Sequence, residues 1–140
     1  MARKKKELPL LEGVSITGLA SEGKALTHVE VLFVPFAAPG DICDIQVTKK
    51  KNSFMEGKIA RLTTPSPQRV TPICSHFTVC GGCKWQHLPY SLQLESKAQV
   101  VRDALERIGK VSVGEYLPIL GSKQTERYRN KLEFTFSHKR

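Results

Sequence analysis

Residues 31–48 read VLFVPFAAPGDICDIQVT and contain two short β-strand patterns separated by a turn. The first pattern, Val29 to Val34, is largely apolar and rich in the β-branched side chains that favour strands. Pro35 and the Ala38-Pro39-Gly40 turn end it, because proline cannot donate to a sheet ladder and Pro-Gly favours turns. Asp41 to Thr48 then alternates apolar and polar residues, as a strand with one buried face does. The stretch therefore predicts two successive strands.

Similar strand patterns lie on both sides of this stretch. Val14 and Ile16 alternate with polar neighbours, and residues 21–23 (Ser-Glu-Gly) predict a turn after them. On the other side, residues 49–53 (Lys-Lys-Lys-Asn-Ser) predict a charged turn, and Phe54 to Leu62 returns as a strand. We expect five short strands within about fifty residues, of which these four patterns are the clearest, and this favours a small closed barrel because closure leaves no exposed sheet edge. We predict an α+β fold that begins with a five-stranded, OB-like β-barrel.

Prolines mark the predicted end of the barrel at Thr63-Thr64-Pro65-Ser66-Pro67, since they stop both ladders and helices. We predict a barrel with a basic N-terminal arm over residues 1–64 and a cysteine-rich segment with one helix over residues 65–110. Residues 111–140 are predicted to begin a further β-containing domain.

One helix is predicted, from Tyr90 to Ile108. Its apolar residues step by four and three positions, which gives a single stripe that we expect to pack in a core (Leu94, Ala98, Val101, Leu105 and Ile108). Pro89 suits the first turn of this helix, and Gly109 suits its C-terminal cap.

The last segment, Arg127 to Arg140, alternates with period two and predicts a strand with an aromatic face and a mostly basic face. Arg129 and Lys131 lie on the basic face. These two side chains either contact phosphate or a flipped loop of a partner, or form an ordinary solvated surface.

The charge balance points to a polyanionic partner. Lys and Arg number 22 and Asp and Glu number 13, a formal net charge of +9, and nucleic acid is the commonest partner of such a surface. No apolar run approaches the ~20 residues that span a bilayer. The basic residues near the N-terminus precede only a short apolar run, unlike a signal peptide. We expect a cytoplasmic monomer that has no membrane partner.

Three of the four cysteines lie in the spacing C-x5-C-x2-C, at Cys74, Cys80 and Cys83. In a reducing compartment this crowding predicts metal or cluster ligation. Zinc would use the three thiolates with His76 or His87, whereas an iron–sulfur cluster normally takes four thiolates. Cys43 shares parity with inward-facing residues of the Asp41–Thr48 strand, so we expect it to be a small core residue and not a ligand. Spacing alone leaves both zinc and iron–sulfur open.

The cysteine motif belongs to a longer specific stretch, Cys74-x5-Cys80-Gly-Gly-Cys83-x2-Gln-His-Leu, followed by Tyr90 and a helix that ends in Leu-Glu-Arg-Ile-Gly109. This stretch resembles the S-adenosylmethionine-dependent RNA (uracil-5-)-methyltransferases, above all their 23S ribosomal RNA branch. Residues 16–23, 31–35 and 38–41 resemble a TRAM domain, the small RNA-binding barrel of these enzymes. Residues 128–131 (Tyr-Arg-Asn-Lys) resemble the start of their central domain.

The resemblance implies a 4Fe–4S cluster whose first three ligands are Cys74, Cys80 and Cys83. It places the fourth ligand, the S-adenosylmethionine site, the cysteine that attacks uracil C6 and the general base beyond Arg140. On this basis the chain is expected to be the N-terminal RNA-binding and iron–sulfur part of a longer enzyme that methylates C5 of a uridine in 23S rRNA.

Candidate RNA contacts are basic or aromatic residues outside the predicted core: Lys49, Lys50, Lys51, Trp85, Arg129 and Lys131. Trp85 follows Cys83 closely and would either stack on a base or cover the cluster. Two alternatives remain open, a tRNA uracil-5 methyltransferase and a stand-alone RNA-binding module with a zinc knuckle.

Overall fold

A computed structural model describes residues 8–20, 24–27, 31–128 and 130–131. Five strands close into a barrel in the order β1-β2-β3-β5-β4, which confirms the predicted architecture. The strands are β1 (Leu10–Leu19), β2 (Lys24–Thr27), β3 (Leu32–Pro35), β4 (Ile42–Lys50) and β5 (Met55–Thr64). All neighbouring strands are antiparallel except β3 and β5, which pair in parallel. The predicted turn at residues 21–23 lies outside the described residues.

The barrel core is made by alternate residues of its strands. On β4, Cys43, Ile45 and Val47 are buried, while their neighbours are partly or fully exposed. Cys43 belongs to the same apolar cluster as Ile16 and Val34. The parity prediction for Cys43 is therefore confirmed.

Gly57 on β5 lies where two strands approach closely. A Cβ at this position would overlap Cγ2 of Ile45 and would lie 3.2 Å from the Gln46 carbonyl oxygen. The absence of a side chain at Gly57 therefore lets β4 and β5 pair closely while Ile45 fills the core.

Two strands of the barrel extend further than predicted. Lys49 and Lys50 belong to β4, where they pair with Glu56 and Met55, so the connecting turn is shorter than predicted. β5 continues through Thr64, into the stretch assigned to the linker. In both places polar residues extend a strand, because ladder hydrogen bonds do not require an apolar side chain.

The helical segment has the predicted extent but not the predicted packing. Helix α1 spans Tyr90–Asp103 and continues as a π-helical turn over Ala104–Ile108; Pro89 is its N-cap and Gly109 follows its last turn. None of these helical residues is buried within the described part of the chain, and Ile108 is 81% exposed. The prediction that the apolar stripe packs in a core is therefore wrong for the residues that the structure describes.

The chain after the helix runs back along it in irregular conformation. The Tyr116 ring lies beneath the guanidinium of Arg102, and Ser122 donates its amide to the Tyr90 hydroxyl at 2.7 Å. Most of the predicted strand from Arg127 to Arg140, including Arg129, lies outside the described residues. No helix among the residues described is long and apolar enough to cross a membrane.

Candidate functional site

The three clustered cysteines lie in an irregular segment, residues 73–88, which we call the cysteine loop. It contains turns and no helix or strand. Cys74 is half-buried, and Cys80 and Cys83 are exposed. Gly81 adopts a positive φ of 73°, and the next amide, of Gly82, donates to the Cys80 sulfur at 3.4 Å. The glycine pair therefore brings a backbone N–H to a sulfur, and hydrogen bonds of this kind stabilise the negative charge of thiolate-bound clusters.

The residue types of the cysteine loop fit a metal or cluster, but the described residues do not show an assembled site. Across the part of the chain that the structure describes, no three His, Cys, Asp or Glu side chains converge as metal ligands. The indole Nε1 of Trp85, two residues after Cys83, is buried without a partner among the residues described. Such an N–H is suited to an acceptor such as a cluster sulfur.

Two other candidate ligands lie in or against the barrel: Cys43 in its core and His87 beside Ala37. Cys43 is fully buried in the core, and burial raises the pKa of its thiol to about 11, which makes it an inert thiol. His87 is 2% exposed and its Nε2 lies 3.2 Å from the Ala37 carbonyl oxygen. Burial lowers the pKa of His87 below its ordinary value. Of the two histidines considered for zinc, His76 is the exposed one.

A buried ion pair fastens the segment after β5 to the barrel. Asp41, 0% exposed, accepts bonds from Nε of Arg69 at 2.8 Å and from its Nη2 at 2.6 Å. The carboxylate also accepts the amides of Ala38 and Ser66. Burial alone would raise the pKa of Asp41, but these hydrogen bonds outweigh it and hold the pKa below its ordinary value.

The cysteine loop is fastened to the same side of the barrel by aromatic contacts. The Phe77 ring packs against Phe36 at 5.4 Å and against the His87 ring at 5.5 Å between centroids. Val70 donates its amide to the His87 carbonyl at 3.0 Å. The barrel and the base of the cysteine loop thus share packing, although their sequences are separated by prolines.

Trp85 is half-buried at the junction of the cysteine loop and helix α1. Its carbonyl oxygen accepts from the Leu88 amide at 3.0 Å and from Nε2 of Gln93 at 3.2 Å. This position is compatible with covering the cysteine loop, and base stacking by Trp85 stays a prediction.

The basic residues lie apart from the cysteine loop in the sequence. Lys49, Lys50 and Lys51 are exposed, and Lys49 lies 3.9 Å from Glu56 in a surface ion pair. Lys131 is exposed as well, whereas Arg129 lies outside the described residues. None of these assignments as RNA contacts is tested by the structure.

Three residues near Lys51 were not predicted from the sequence as candidate site residues: Lys24, Phe33 and Phe54. Lys24 lies over the Phe33 ring, and Phe33 meets Phe54 edge to face. The strand parity of β3 contained the signal for Phe33, because it alternates with the buried Leu32 and Val34. The sequence contained no comparable signal for the pairing of Asp41 with Arg69, which are 28 positions apart.

Comparison with known proteins identifies the barrel. The family profile of the TRAM domain matches residues 12–60. Proteins named uncharacterized RNA methyltransferase are 64% identical over 91% of this chain in Porphyromonas gingivalis and 53% identical over 87% in Bacteroides thetaiotaomicron. A relative of the same description from Synechocystis is 40% identical over 89% of the chain.

The barrel is thus a TRAM domain. Over most of its length the chain is similar to these proteins named RNA methyltransferase, and it spans about a quarter of their length (28%, 27% and 27%). A solved structure, the Pyrococcus abyssi tRNA (uracil-54, C5)-methyltransferase in complex with S-adenosyl-L-homocysteine, is 34% identical. The match covers 77% of this chain and 23% of the chain in that structure, with a TM-score of 0.45.

Proposed function

We propose that this chain is the RNA-binding and iron–sulfur part of an S-adenosylmethionine-dependent enzyme that methylates C5 of a uridine in 23S rRNA. The observation that carries the proposal is a TRAM barrel joined to a C-x5-C-x2-C loop in a chain 64% identical to a protein named RNA methyltransferase. The motif resemblance supports uracil and 23S rRNA as the finer assignment. An RNA substrate of this kind also favours a cytoplasmic location, and we propose a monomer.

The proposed reaction is a nucleophile-assisted methyl transfer. A cysteine thiolate adds to C6 of uracil, C5 takes the methyl group from the sulfonium donor, and a base removes the C5 proton as the thiolate leaves. The groups that perform these steps belong to the part of the enzyme that the resemblance places beyond Arg140. The residues of this chain are proposed to bind and orient the RNA.

Cys74, Cys80 and Cys83 are proposed to hold a 4Fe–4S cluster with a fourth ligand from outside this chain. The exposed thiols of Cys80 and Cys83 and the Gly82 amide on the Cys80 sulfur support the assignment. Methyl transfer from a sulfonium needs no electron, so the cluster would shape the cysteine loop against the barrel. A zinc site with His76 would use the same thiols and is the outcome that metal analysis distinguishes.

Methylation by the complete gene product tests the enzymatic proposal. We expect radiolabelled S-adenosylmethionine to transfer its methyl group to an unmodified 23S rRNA transcript, with the label recovered as 5-methyluridine. Labelling of tRNA alone would assign the enzyme to the tRNA branch. Labelling of neither RNA, by protein that binds the donor, would contradict the proposed activity.

RNA binding by this chain tests the role of its lysines. Phosphate contacts release counterions, so log affinity for single-stranded RNA should fall with log salt by about 0.7 per phosphate neutralised. Replacing Lys49, Lys50 and Lys51 by Glu should flatten this slope, with the same replacement of three exposed lysines outside the barrel strands, Lys97, Lys110 and Lys123, as the matched control. An unchanged slope in the triple variant would contradict the assignment.

A further inference from the structure

Two aromatic rings lie together on one face of the TRAM barrel, outside its core. Phe33 is on β3 and Phe54 immediately precedes β5; both are half-buried, and neither belongs to the core cluster. Their centroids are 5.7 Å apart with an interplanar angle of 66°. Because buried partners do not surround these rings fully, part of their surface is accessible to a ligand.

Each ring carries a lysine ammonium within cation–π distance. Nζ of Lys51 is 5.3 Å from the Phe54 centroid, and Nζ of Lys24 is 5.5 Å from the Phe33 centroid. Lys50, four residues before Phe54 in the sequence, is also exposed. The face therefore combines flat apolar surfaces with flexible cations, which is the composition of a single-strand binding platform.

A half-open cleft of about 370 Å³ adjoins the Phe54 ring. Its lining includes Lys50, Lys51, Asn52 and Ser53 as well as Phe54. This size lies within the roughly 300–1,000 Å³ of small-molecule sites. The amide of Asn52 and the hydroxyl of Ser53 offer both donors and acceptors for the edge of a base.

We propose that this cleft binds one unpaired nucleotide of the RNA, with its base stacked on Phe54 and its phosphate contacted by Lys50 and Lys51. Phe33 supports the Phe54 ring and extends the platform for a neighbouring base. The proposal rests on the RNA-binding function proposed above and assigns a site to it.

The contacts that Lys51 and Phe54 gain with RNA are stronger than the one that they lose, which favours binding. Lys51 gives up an exposed cation–π contact, a weak interaction, and gains a phosphate, while the ring gains a stacked base. A base in a duplex has both faces covered by its neighbours, so only an unpaired nucleotide offers a free face. The site is therefore specific for single-stranded RNA and tolerant of sequence.

Binding of two RNA probes to Phe54→Leu tests the proposal. One probe is a short single-stranded RNA, and the other has the same length with abasic residues throughout. We expect the variant to bind the base-containing RNA at least about fivefold more weakly than wild type, because a stacked base is lost. Its affinity for the abasic RNA and its salt slope should be unchanged.

Two control variants separate stacking from folding. Phe54→Tyr keeps a ring and should bind both probes as wild type does. Phe77→Leu removes a half-buried ring from the cysteine loop and should preserve the preference for bases. If wild type and Phe54→Leu bind the base-containing RNA equally tightly, and the abasic RNA equally tightly, base stacking at this cleft is overturned. RNA binding by the chain would still stand. Binding of neither probe by wild type would overturn RNA binding itself.

Photo-crosslinking gives a readout on unmodified protein, should Phe54→Leu fail to fold. RNA that contains 4-thiouridine is expected to crosslink to the peptides that carry Phe33 or Phe54. Crosslinks confined to the cysteine loop or helix α1 would overturn the proposal.

Discussion

The TRAM barrel and the cysteine loop are adjacent but are built in different ways. The barrel is held by its own strand ladders and by a core in which residues such as Ile45 and Val34 are fully buried. The cysteine loop has turns, exposed thiols and a few contacts at its base with the barrel, through Phe77 and His87. A fold can thus be specified by periodic local sequence in one region and by long-range contacts in the next.

The largest expected effect comes from breaking the buried ion pair between Asp41 and Arg69, which fastens the segment between β5 and the cysteine loop to the barrel. Arg69→Ala leaves the Asp41 carboxylate buried without its cation and should lower the free energy of unfolding by about 3–5 kcal/mol. Arg61→Ala is the matched control, since its ion pair with Asp44 is largely exposed on the Arg61 side and should cost at most about 1 kcal/mol. Urea denaturation followed by circular dichroism measures both, and equal losses would contradict the distinction.

A smaller effect is expected from crowding the barrel without touching the cysteine loop. Gly57→Ala places a methyl group against Ile45 and should cost about 1–3 kcal/mol, since the core must shift. Gly18→Ala is the control, because a Cβ there meets nothing within 4 Å. If thermal unfolding finds both variants equally stable, the close approach of β4 and β5 is not required.

The burial of His87 makes the junction sensitive to acid. The pKa of His87 is lower in the folded chain than its ordinary 6.5, so the unfolded chain binds more protons and stability falls as the pH drops below about 6.5. The pKa of Asp41 is likewise lowered, so a second loss begins as the pH falls below its ordinary 3.8.

Denaturant unfolding between about pH 8 and pH 5 measures the first of these losses. His87→Gln cannot become charged and should reduce the change, whereas His76→Gln, on the exposed side of the loop, should leave it as in wild type. The same pH dependence in wild type and His87→Gln would assign it to other groups.

The regions also differ in how far the sequence predicts them. Period-two alternation was sufficient for β4 and for the burial of Cys43, because that burial follows from parity within one strand. It was insufficient for the strand residues Lys49 and Lys50, since exposed polar positions leave no periodic signal. The exposure of Ile108 and the bond from Arg69 to Asp41 depend on distant parts of the chain, which periodicity does not report.

The same reasoning applies to the cysteines. The C-x5-C-x2-C spacing predicted Cys74, Cys80 and Cys83 as metal or cluster ligands, and strand parity excluded Cys43 from that set. The structure supports the removal of Cys43 by its burial and raised pKa. The ligand role of the other three remains a prediction, because no three ligand side chains converge in the part of the chain described.

The most direct test of the account is to measure iron and acid-labile sulfide in anaerobically purified protein. It tests whether Cys74, Cys80 and Cys83 are cluster ligands while Cys43 is only a core residue. Wild type should be brown and contain both, Cys83→Ser should contain neither, and Cys43→Ser should retain both while losing about 1–2 kcal/mol of stability. Loss of iron and sulfide in Cys43→Ser as complete as in Cys83→Ser, or stoichiometric zinc without sulfide in wild type after iron-replete expression, would contradict the account.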